Sequence, residues 1–185
     1  MNWTNKLDIL SWTKEIVKKD KSLNSWFSER IYEWVPLCDD AITALMQGIP
    51  FLVVTDRERD WFNYYIINNI NSIKNNRPFV PVYSLMNFIP YSHKTNKIEY
   101  LDMIEDMLDI TFKGDYRYWY IGKEDSNIYN LVKRRDDSFI WMFDKEIQNT
   151  FFLKSYTENL DHQLMNLFKL FNQTITVSMF GEIKI

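Results

Sequence analysis

Glycine is scarce in this chain, with only 4 among 185 residues. Phosphate-binding loops and nucleophile elbows need glycines at fixed spacings, because only glycine lets the backbone turn sharply beside a phosphate or a reacting group. The sequence contains no Gly-x-Gly-x-x-Gly, Walker or Gly-x-Ser-x-Gly pattern. We therefore predict no catalytic residues, no cofactor and no small-molecule substrate.

Cysteines and long apolar runs are also few. The single cysteine, Cys38, excludes an internal disulfide and suits a reducing compartment. We interpret it as a small buried hydrophobe rather than a nucleophile. No stretch reaches the roughly 18 apolar residues of a membrane helix, and the segment MNWTNKLDIL lacks a signal-peptide pattern. These features predict a cytoplasmic protein that does not associate with membranes.

An excess of positive charge is missing as well. The net charge is −3, and the basic run at 133–135 is followed at once by Asp136 and Asp137. Binding to nucleic acid needs a positive surface, so we expect no direct contact with DNA or RNA. His93 and His162 lie far apart and outside any cluster of ligand-type residues, so no metal site is predicted.

Aromatic side chains, by contrast, are abundant, with 7 Trp, 11 Tyr and 13 Phe. Aromatic residues dominate both protein cores and protein interfaces. A chain this rich in them has more than one surface to bury, which indicates oligomerisation or partner binding. The cluster at 26–34 and the apolar helix at 159–171 could each serve the core or an interface.

Short apolar runs alternate with helical patterns along the chain. The runs near residues 50, 80, 117, 139 and 151 are almost continuously apolar, as in parallel strands covered on both faces. Pro81 predicts either an edge position for the second strand or a strand that ends early. Helical segments are predicted at 3–20, 36–48, 60–71, 98–110, 126–133, 144–149 and 159–171, and a last short strand at 182–185. The pattern predicts a single α/β domain over 1–185, a Rossmann-like three-layer sandwich whose mostly parallel five-stranded sheet is flanked by helices.

The most informative segment is PFLVVTDRERDWFNYYIINNINS at residues 50–72. A strand leads there directly into a helix, and in nucleotide and sugar-phosphate binders such a turn carries glycines. Here the turn has none and contains Asp56 and Glu58. Thr55 and Glu58 match a capping box, which would satisfy the N–H groups of the helix itself. We therefore expect the protein to fill its own anion site and to perform non-enzymatic work.

Asp56 and Arg59 allow two interpretations. They lie at the carboxyl end of a predicted strand, where ligand sites usually occur in this class of fold. One interpretation is helix capping with a local ion pair, and the other is a part in partner binding.

Five segments together closely resemble the HobA family, whose members bind the replication initiator DnaA. They are LVVTDRERDWFNYYIINNIN, RPFVPV, YWYIGK, SFIWMF and LDHQLMNLFKLF. The most recognisable piece is D-x-x-R-x-W-F at Asp56, Arg59, Trp61 and Phe62. The resemblance implies a fold like sugar-isomerase (SIS) domains, a homotetramer, and binding of the DnaA N-terminal domain. It also implies a non-enzymatic adaptor that promotes DnaA oligomerisation at the chromosomal origin.

Tryptophan, tyrosine and arginine are the usual anchors of interfaces. Trp26, Arg30 and Trp34 are spaced by four residues, and Arg57 and Arg59 could add charge suited to an acidic partner. We therefore expect DnaA to dock on residues 25–34 and the start of the helix after 56, within one chain or across a subunit boundary. Burial of the tryptophans in the core is the alternative. The rival function is a sugar-phosphate isomerase or phosphosugar sensor on the same fold.

Overall fold

The structure, a computed structural model, describes residues 6–89, 98–126 and 128–184. The strands in chain order are β1 (Leu7–Asp8), β2 (Phe51–Thr55), β3 (Val82–Ser84), β4 (Arg117–Lys123), β5 (Phe139–Phe143), β6 (Phe151–Leu153) and β7 (Ile183–Lys184). Five of them form one parallel sheet in the order β3-β2-β4-β5-β6. The predicted α/β fold with a five-stranded sheet is confirmed, and β3 is an edge strand as Pro81 indicated.

Helices cover both faces of this sheet. They are α1 (Ile9–Lys19), α2 (Lys21–Phe27), α3 (Ile31–Met46), α4 (Asp60–Ile70), α5 (Ile98–Phe112), α6 (Tyr129–Val132) and α7 (Leu160–Met179). The apolar faces of α1, α2, α3, α4 and α7 form one core with alternate strand residues such as Val53 and Trp119. The other alternate residues, such as Val54 and Tyr118, pack with α5 and α6. Burial on both faces explains why the strands are almost continuously apolar.

The helix predicted at 3–20 is shorter than expected. Leu7 and Asp8 pair in parallel with β7 instead, and residues 3–5 lie outside the described part of the chain. The helix ends at Lys19 because Asp20 begins α2: its carboxylate accepts hydrogen bonds from the backbone N–H groups of Ser22 and Leu23.

The next helix begins earlier than its proline suggested. We expected Pro36 in the first turn, where its missing N–H costs nothing, but α3 starts at Ile31 and contains Pro36 in its interior. The carbonyl of Tyr32 therefore receives no hydrogen bond from residue 36.

The helical turns predicted at 144–149 are absent. Asp144 and Asn149 both have left-handed backbone angles, with φ of 60° and 59°, which interrupt a right-handed helix. Ser155 and Glu158 have the S/T-x-x-E spacing of a capping box, but no such box forms at the start of α7. The N–H and hydroxyl of Ser155 donate to the carboxylate of Asp144, and α7 has no side-chain hydrogen bond at its N-cap, Asn159.

Candidate functional site

The direction in which the chain adds strands to the sheet reverses at β2. β3 lies on one side of β2 and β4 on the other, so this is a topological switch point, where open α/β sheets usually bind ligands at the carboxyl ends of the strands. A crevice of about 350 Å³ is present there. Its lining consists of Asp56, Arg57, Glu58, Lys123, Asp125, Ser126 and Ile128.

The side chain of Asp56 occupies the position that a bound anion would need. Its carboxylate lies 2.7 and 2.6 Å from Nη1 of Arg59 and accepts the backbone N–H of Lys123 at 3.0 Å. Both charged side chains are almost fully buried, and the Arg59 guanidinium stacks on the ring of Phe143 at 4.3 Å. A buried pair with this many partners fixes the turn between β2 and α4.

The predicted capping box in this turn is not formed. The hydroxyl of Thr55 donates to the carboxylate of Asp60 at 3.2 Å, while Glu58 lies 3.0 Å from Arg59 and 3.7 Å from the ammonium of Lys123. The residue before α4, Arg59, makes no side-chain cap hydrogen bond. The turn is therefore held by the carboxylate of Asp56, and the capping box that we expected from Thr55 and Glu58 is wrong.

Gly122 brings β4 close to this buried pair. A Cβ atom at Gly122 would lie 2.5 Å from the hydroxyl of Tyr120 and 2.9 Å from Cβ of Asp56. The Tyr120 hydroxyl donates to the Lys123 carbonyl at 2.6 Å, and burial raises the pKa of this phenol well above its ordinary value. The floor of the crevice is thus formed by packed side chains. Its carboxylates, Asp56, Glu58 and Asp125, outnumber its cations, Arg57 and Lys123, and this balance disfavours a phosphate group.

A second concave surface lies between α2, β6 and the start of α7. It consists of two adjacent cavities of about 440 and 300 Å³ that share Trp26 and Gln163. We call it the Trp26 groove; its lining is Ser22, Ser25, Trp26, Arg30, Phe152, Leu153, Lys154, Thr157, Asn159, His162, Gln163 and Asn166.

Trp26 and Arg30 are held in this groove by aromatic contacts. Trp26 is half-buried, and its ring meets Phe27 edge-on at 5.5 Å. The guanidinium of Arg30 lies 4.2 Å from the ring of Phe151 and pairs with Glu33 at 2.7 Å. Both side chains are therefore ordered before any partner arrives, which lowers the entropic cost of binding.

Comparison with known proteins agrees with this architecture. Residues 5–185 match the model of the HobA family, described as a DNA replication regulator.

The chain belongs to the HobA family.

Relatives of this HobA-family chain come from Helicobacter pylori. The DNA replication regulator protein HobA of that organism is 24% identical over 181 residues, which cover 93% of this chain and 96% of the relative. A crystal structure of HobA from the same organism has a TM-score of 0.73 at 23% identity and covers 98% of this chain and 100% of its own. The crystal structure of a HobA–DnaA (domain I–II) complex has a TM-score of 0.72 at 22% identity, over 96% and 99%. These likenesses confirm the resemblance and the fold.

Two of the residues that we predicted to bind a partner of this HobA-family chain are buried, so the prediction that they lie on the surface is wrong. Trp34 is fully buried and packs against Phe151, Trp141 and Phe139, with ring centroids 5.2 to 5.8 Å apart. Arg59 is buried in its pair with Asp56. Neither side chain can contact a partner unless the core opens.

The other three predicted residues lie on two separate surfaces. Trp26 and Arg30 line the same groove beside β6, while Arg57 is exposed at the crevice after β2. β2 and β6 are three strand spacings apart, about 14 Å. The single docking surface that we predicted is therefore not continuous within one chain.

No nucleophile or metal cluster is found among the described residues. Cys38 is fully buried, and burial raises the pKa of its thiol well above the ordinary value, so it stays protonated. The described ranges hold no group of histidine, cysteine and carboxylate side chains suited to a metal ion. His162 is exposed in the Trp26 groove, and His93 lies outside the described residues. Within these ranges no helix is long and apolar enough to cross a membrane.

Several residues of the Trp26 groove were not predicted from the sequence. Phe152 and Lys154 come from β6 and the segment after it, and Gln163 comes from α7. They lie more than 120 positions from Trp26 along the chain. No local spacing could connect them, because only the packing of α2 and α7 beside the sheet brings them together.

Proposed function

We propose that this chain is a non-enzymatic adaptor that binds the N-terminal domain of DnaA in the cytoplasm. The observation that carries the proposal is the HobA–DnaA (domain I–II) complex, a relative whose fold covers nearly all of this chain. The crevice after β2 supports the absence of catalysis, since the carboxylate of Asp56, paired with Arg59, lies at the usual ligand position.

The Trp26 groove is the surface that we propose for DnaA. It offers a half-buried tryptophan at its centre and two cationic side chains, Arg30 and Lys154, at one end. Interfaces favour tryptophan and arginine anchors with charged groups at the rim, and the cations suit a partner with acidic side chains. Lys154 is exposed, and no ion pair involving it is found in the described part of the chain.

As an adaptor, the protein acts through several copies. We propose that it assembles as a homotetramer, so that one particle holds several DnaA molecules close together. Binding sites on one rigid particle raise the effective concentration of DnaA and favour its oligomerisation at the origin. Because the adaptor has a net charge of −3, we propose that DnaA rather than the adaptor contacts the DNA.

Calorimetric titration with purified DnaA domains I–II tests the proposal. We expect wild-type protein to bind, and Lys154→Glu to bind at least about tenfold more weakly, because charge reversal at a rim opposes an acidic partner. Lys133→Glu is the matched control, since Lys133 is an exposed lysine after α6, on the other face of the sheet.

Arg30 needs a compensated variant because it pairs with Glu33. The exchange Arg30→Glu with Glu33→Arg keeps the ion pair and reverses its polarity in the groove. Loss of DnaA binding at an unchanged melting temperature supports the groove. Absence of any complex with wild-type protein at micromolar concentrations contradicts the function, and equal binding by all variants contradicts the groove alone.

A further inference from the structure

The outward face of α7 joins two concave surfaces. Near the start of this helix, His162 and Asn166 line the Trp26 groove. Toward its end, a further cavity of about 390 Å³ lies between α1 and α7. We call it the Trp12 cavity; its lining includes Trp12, Ile16, Asn172, Gln173, Thr176 and Val177. The Trp26 groove and the Trp12 cavity therefore share one wall, which is α7.

Five residues of α7 connect the two surfaces in a single row. We call it the α7 row, and it consists of His162, Asn166, Lys169, Gln173 and Thr176. Successive members are four, three, four and three residues apart, which is the spacing of one helix face. All five are exposed or half-buried. The row is 14 positions long, or about 21 Å, because a helix rises about 1.5 Å per residue. That length matches about six residues of an extended chain.

Side-chain amides are concentrated on both surfaces. The Trp26 groove contains Asn159, Gln163 and Asn166, and the Trp12 cavity contains Asn75, Asn172 and Gln173. Among the described residues, the side chains of Gln163 and Gln173 form no hydrogen bond. Nδ2 of Asn166 donates to Oγ of Ser22 at 3.0 Å, which leaves its Oδ1 atom as an acceptor. An amide has donors and an acceptor, so it can bind the N–H and C=O groups of a peptide backbone whatever the sequence.

The Trp12 cavity is preformed. Nδ2 of Asn172 donates to Oδ1 of Asn75 at 3.0 Å, and Oδ1 of Asn172 accepts a hydrogen bond from Nη2 of Arg77 at 2.7 Å. Trp12 and Ile16 pack against the main core and form the apolar wall. Since these side chains are already held in place, a bound segment orders few of them, and the entropic cost of binding is small.

We infer that DnaA domain II binds in extended conformation along the α7 row, from the Trp26 groove to the Trp12 cavity. This inference rests on the proposed function, in which the N-terminal domain of DnaA occupies the Trp26 groove. The chain that leaves this domain then continues along α7.

Two features of the α7 row favour this occupant. The row begins inside the proposed docking groove, so a segment that is already tethered there reaches it at a high effective concentration. The only charged residue of the row other than histidine is Lys169, which suits an acidic side chain of the segment, as Arg30 and Lys154 suit the docked domain. A small ligand would occupy one of the two surfaces and leave the row between them empty.

NMR spectroscopy of isotope-labelled DnaA domains I–II, titrated with the adaptor, tests the inference. Residues held on a large particle lose their signals, whereas residues that stay free keep sharp ones. With wild-type adaptor, we expect signals of both domains to disappear. The double variant Lys169→Glu with Gln173→Glu should bind at least about tenfold more weakly, because it places two negative charges on the row. At saturation, domain I signals should still disappear and domain II signals should stay sharp.

Lys133→Glu with Gln47→Glu is the matched control. Lys133 follows α6 and Gln47 follows α3, and both are exposed and lie outside the row. This variant should behave as the wild type does. Circular dichroism checks that both double variants fold.

The same titration separates this inference from the proposed function. Sharp domain II signals in the wild-type complex would overturn the inference and leave the Trp12 cavity to another occupant, while DnaA binding itself stands. Loss of domain II signals with Lys169→Glu and Gln173→Glu at unchanged affinity would also overturn it. Unchanged signals of both domains at micromolar wild-type adaptor would reject the proposed function, and the inference with it.

Discussion

Trp34 belongs to the core rather than to the surface. Its ring contacts aromatic side chains from β5, β6 and α7 and is completely shielded from solvent. We expect Trp34→Ala to lower the free energy of unfolding by about 3–5 kcal/mol, the usual cost of deleting a large buried aromatic side chain. Urea denaturation measures the change.

Trp26→Ala provides the comparison, because Trp26 is only half-buried. Compared with Trp34→Ala, Trp26→Ala should lower the free energy of unfolding less and should weaken DnaA binding more. Full stability in Trp34→Ala would show that the core packing around this residue is described incorrectly.

Asp56 supplies the negative charge that balances the buried guanidinium of Arg59. Replacing it by asparagine leaves the Arg59 guanidinium buried without a charged partner apart from the exposed Glu58. We expect Asp56→Asn to lower the free energy of unfolding by about 3–5 kcal/mol, the typical cost of breaking a buried ion pair. Thermal unfolding followed by circular dichroism measures it.

The double variant Asp56→Asn with Arg59→Met should recover part of this loss, because no unpaired charge remains buried. A double variant less stable than Asp56→Asn would mean that stacking of Arg59 on Phe143, rather than charge pairing, holds the turn.

At the scale of an element, Asp20 separates α1 from α2. The pKa of Asp20 is lowered below its ordinary value of 3.8, chiefly because the Ser22 hydroxyl donates a hydrogen bond to its carboxylate. A carboxylate with a lowered pKa in the folded state stabilises the protein above the unfolded pKa. This contribution is lost as the pH falls through the folded value.

We therefore expect Asp20→Ala to cost about 1 kcal/mol near neutral pH, as is typical for loss of an N-cap. The difference from wild type should shrink as the pH falls below 3.8. Urea denaturation at a series of pH values measures it. Asp136→Ala removes an exposed carboxylate that caps no helix and should show no such trend. If the stability difference between wild type and Asp20→Ala stayed constant into the acid range, the negative charge of Asp20 would not contribute, and the cap would stabilise the helix through hydrogen bonds alone.

At the scale of the whole molecule, the position of the Trp26 groove bears on the proposed activity. The groove lies beside β6, an edge strand of the five-stranded sheet. A particle made of several copies of this chain could therefore present its grooves to several DnaA molecules at once.

We expect the Lys154→Glu variant to lose the ability to promote DnaA assembly on origin DNA, because Lys154 lines the Trp26 groove. Joining binding sites on one particle can raise avidity by about 10²–10⁴, so the wild type should lower the DnaA concentration required for assembly. Electrophoretic mobility shift of origin DNA with full-length DnaA measures this. Equal stimulation by the variant would separate the activity from the groove.

The sequence by itself determined most of the elements and the type of sheet. Runs such as FLVVT and FIWMF are apolar at every position, and this local pattern already requires burial on both faces, hence parallel strands between layers of helices. The glycine-free turn after β2 likewise indicated a filled anion site. The resemblance carried by Asp56, Arg59, Trp61 and Phe62 indicated the family. All of these signals lie within short stretches of chain.

Only the tertiary structure decided which aromatic residues are core and which are surface. Trp26, Arg30 and Trp34 have the spacing of one helix face, but a 3₁₀ turn at Ser28–Arg30 separates α2 from α3 and changes the direction of their faces. Trp34 then meets the sheet, while Trp26 remains at its edge. Spacing fixes neighbours within a continuous helix, whereas burial depends on residues far away in the chain, such as Phe151 and Phe171, that pack against it.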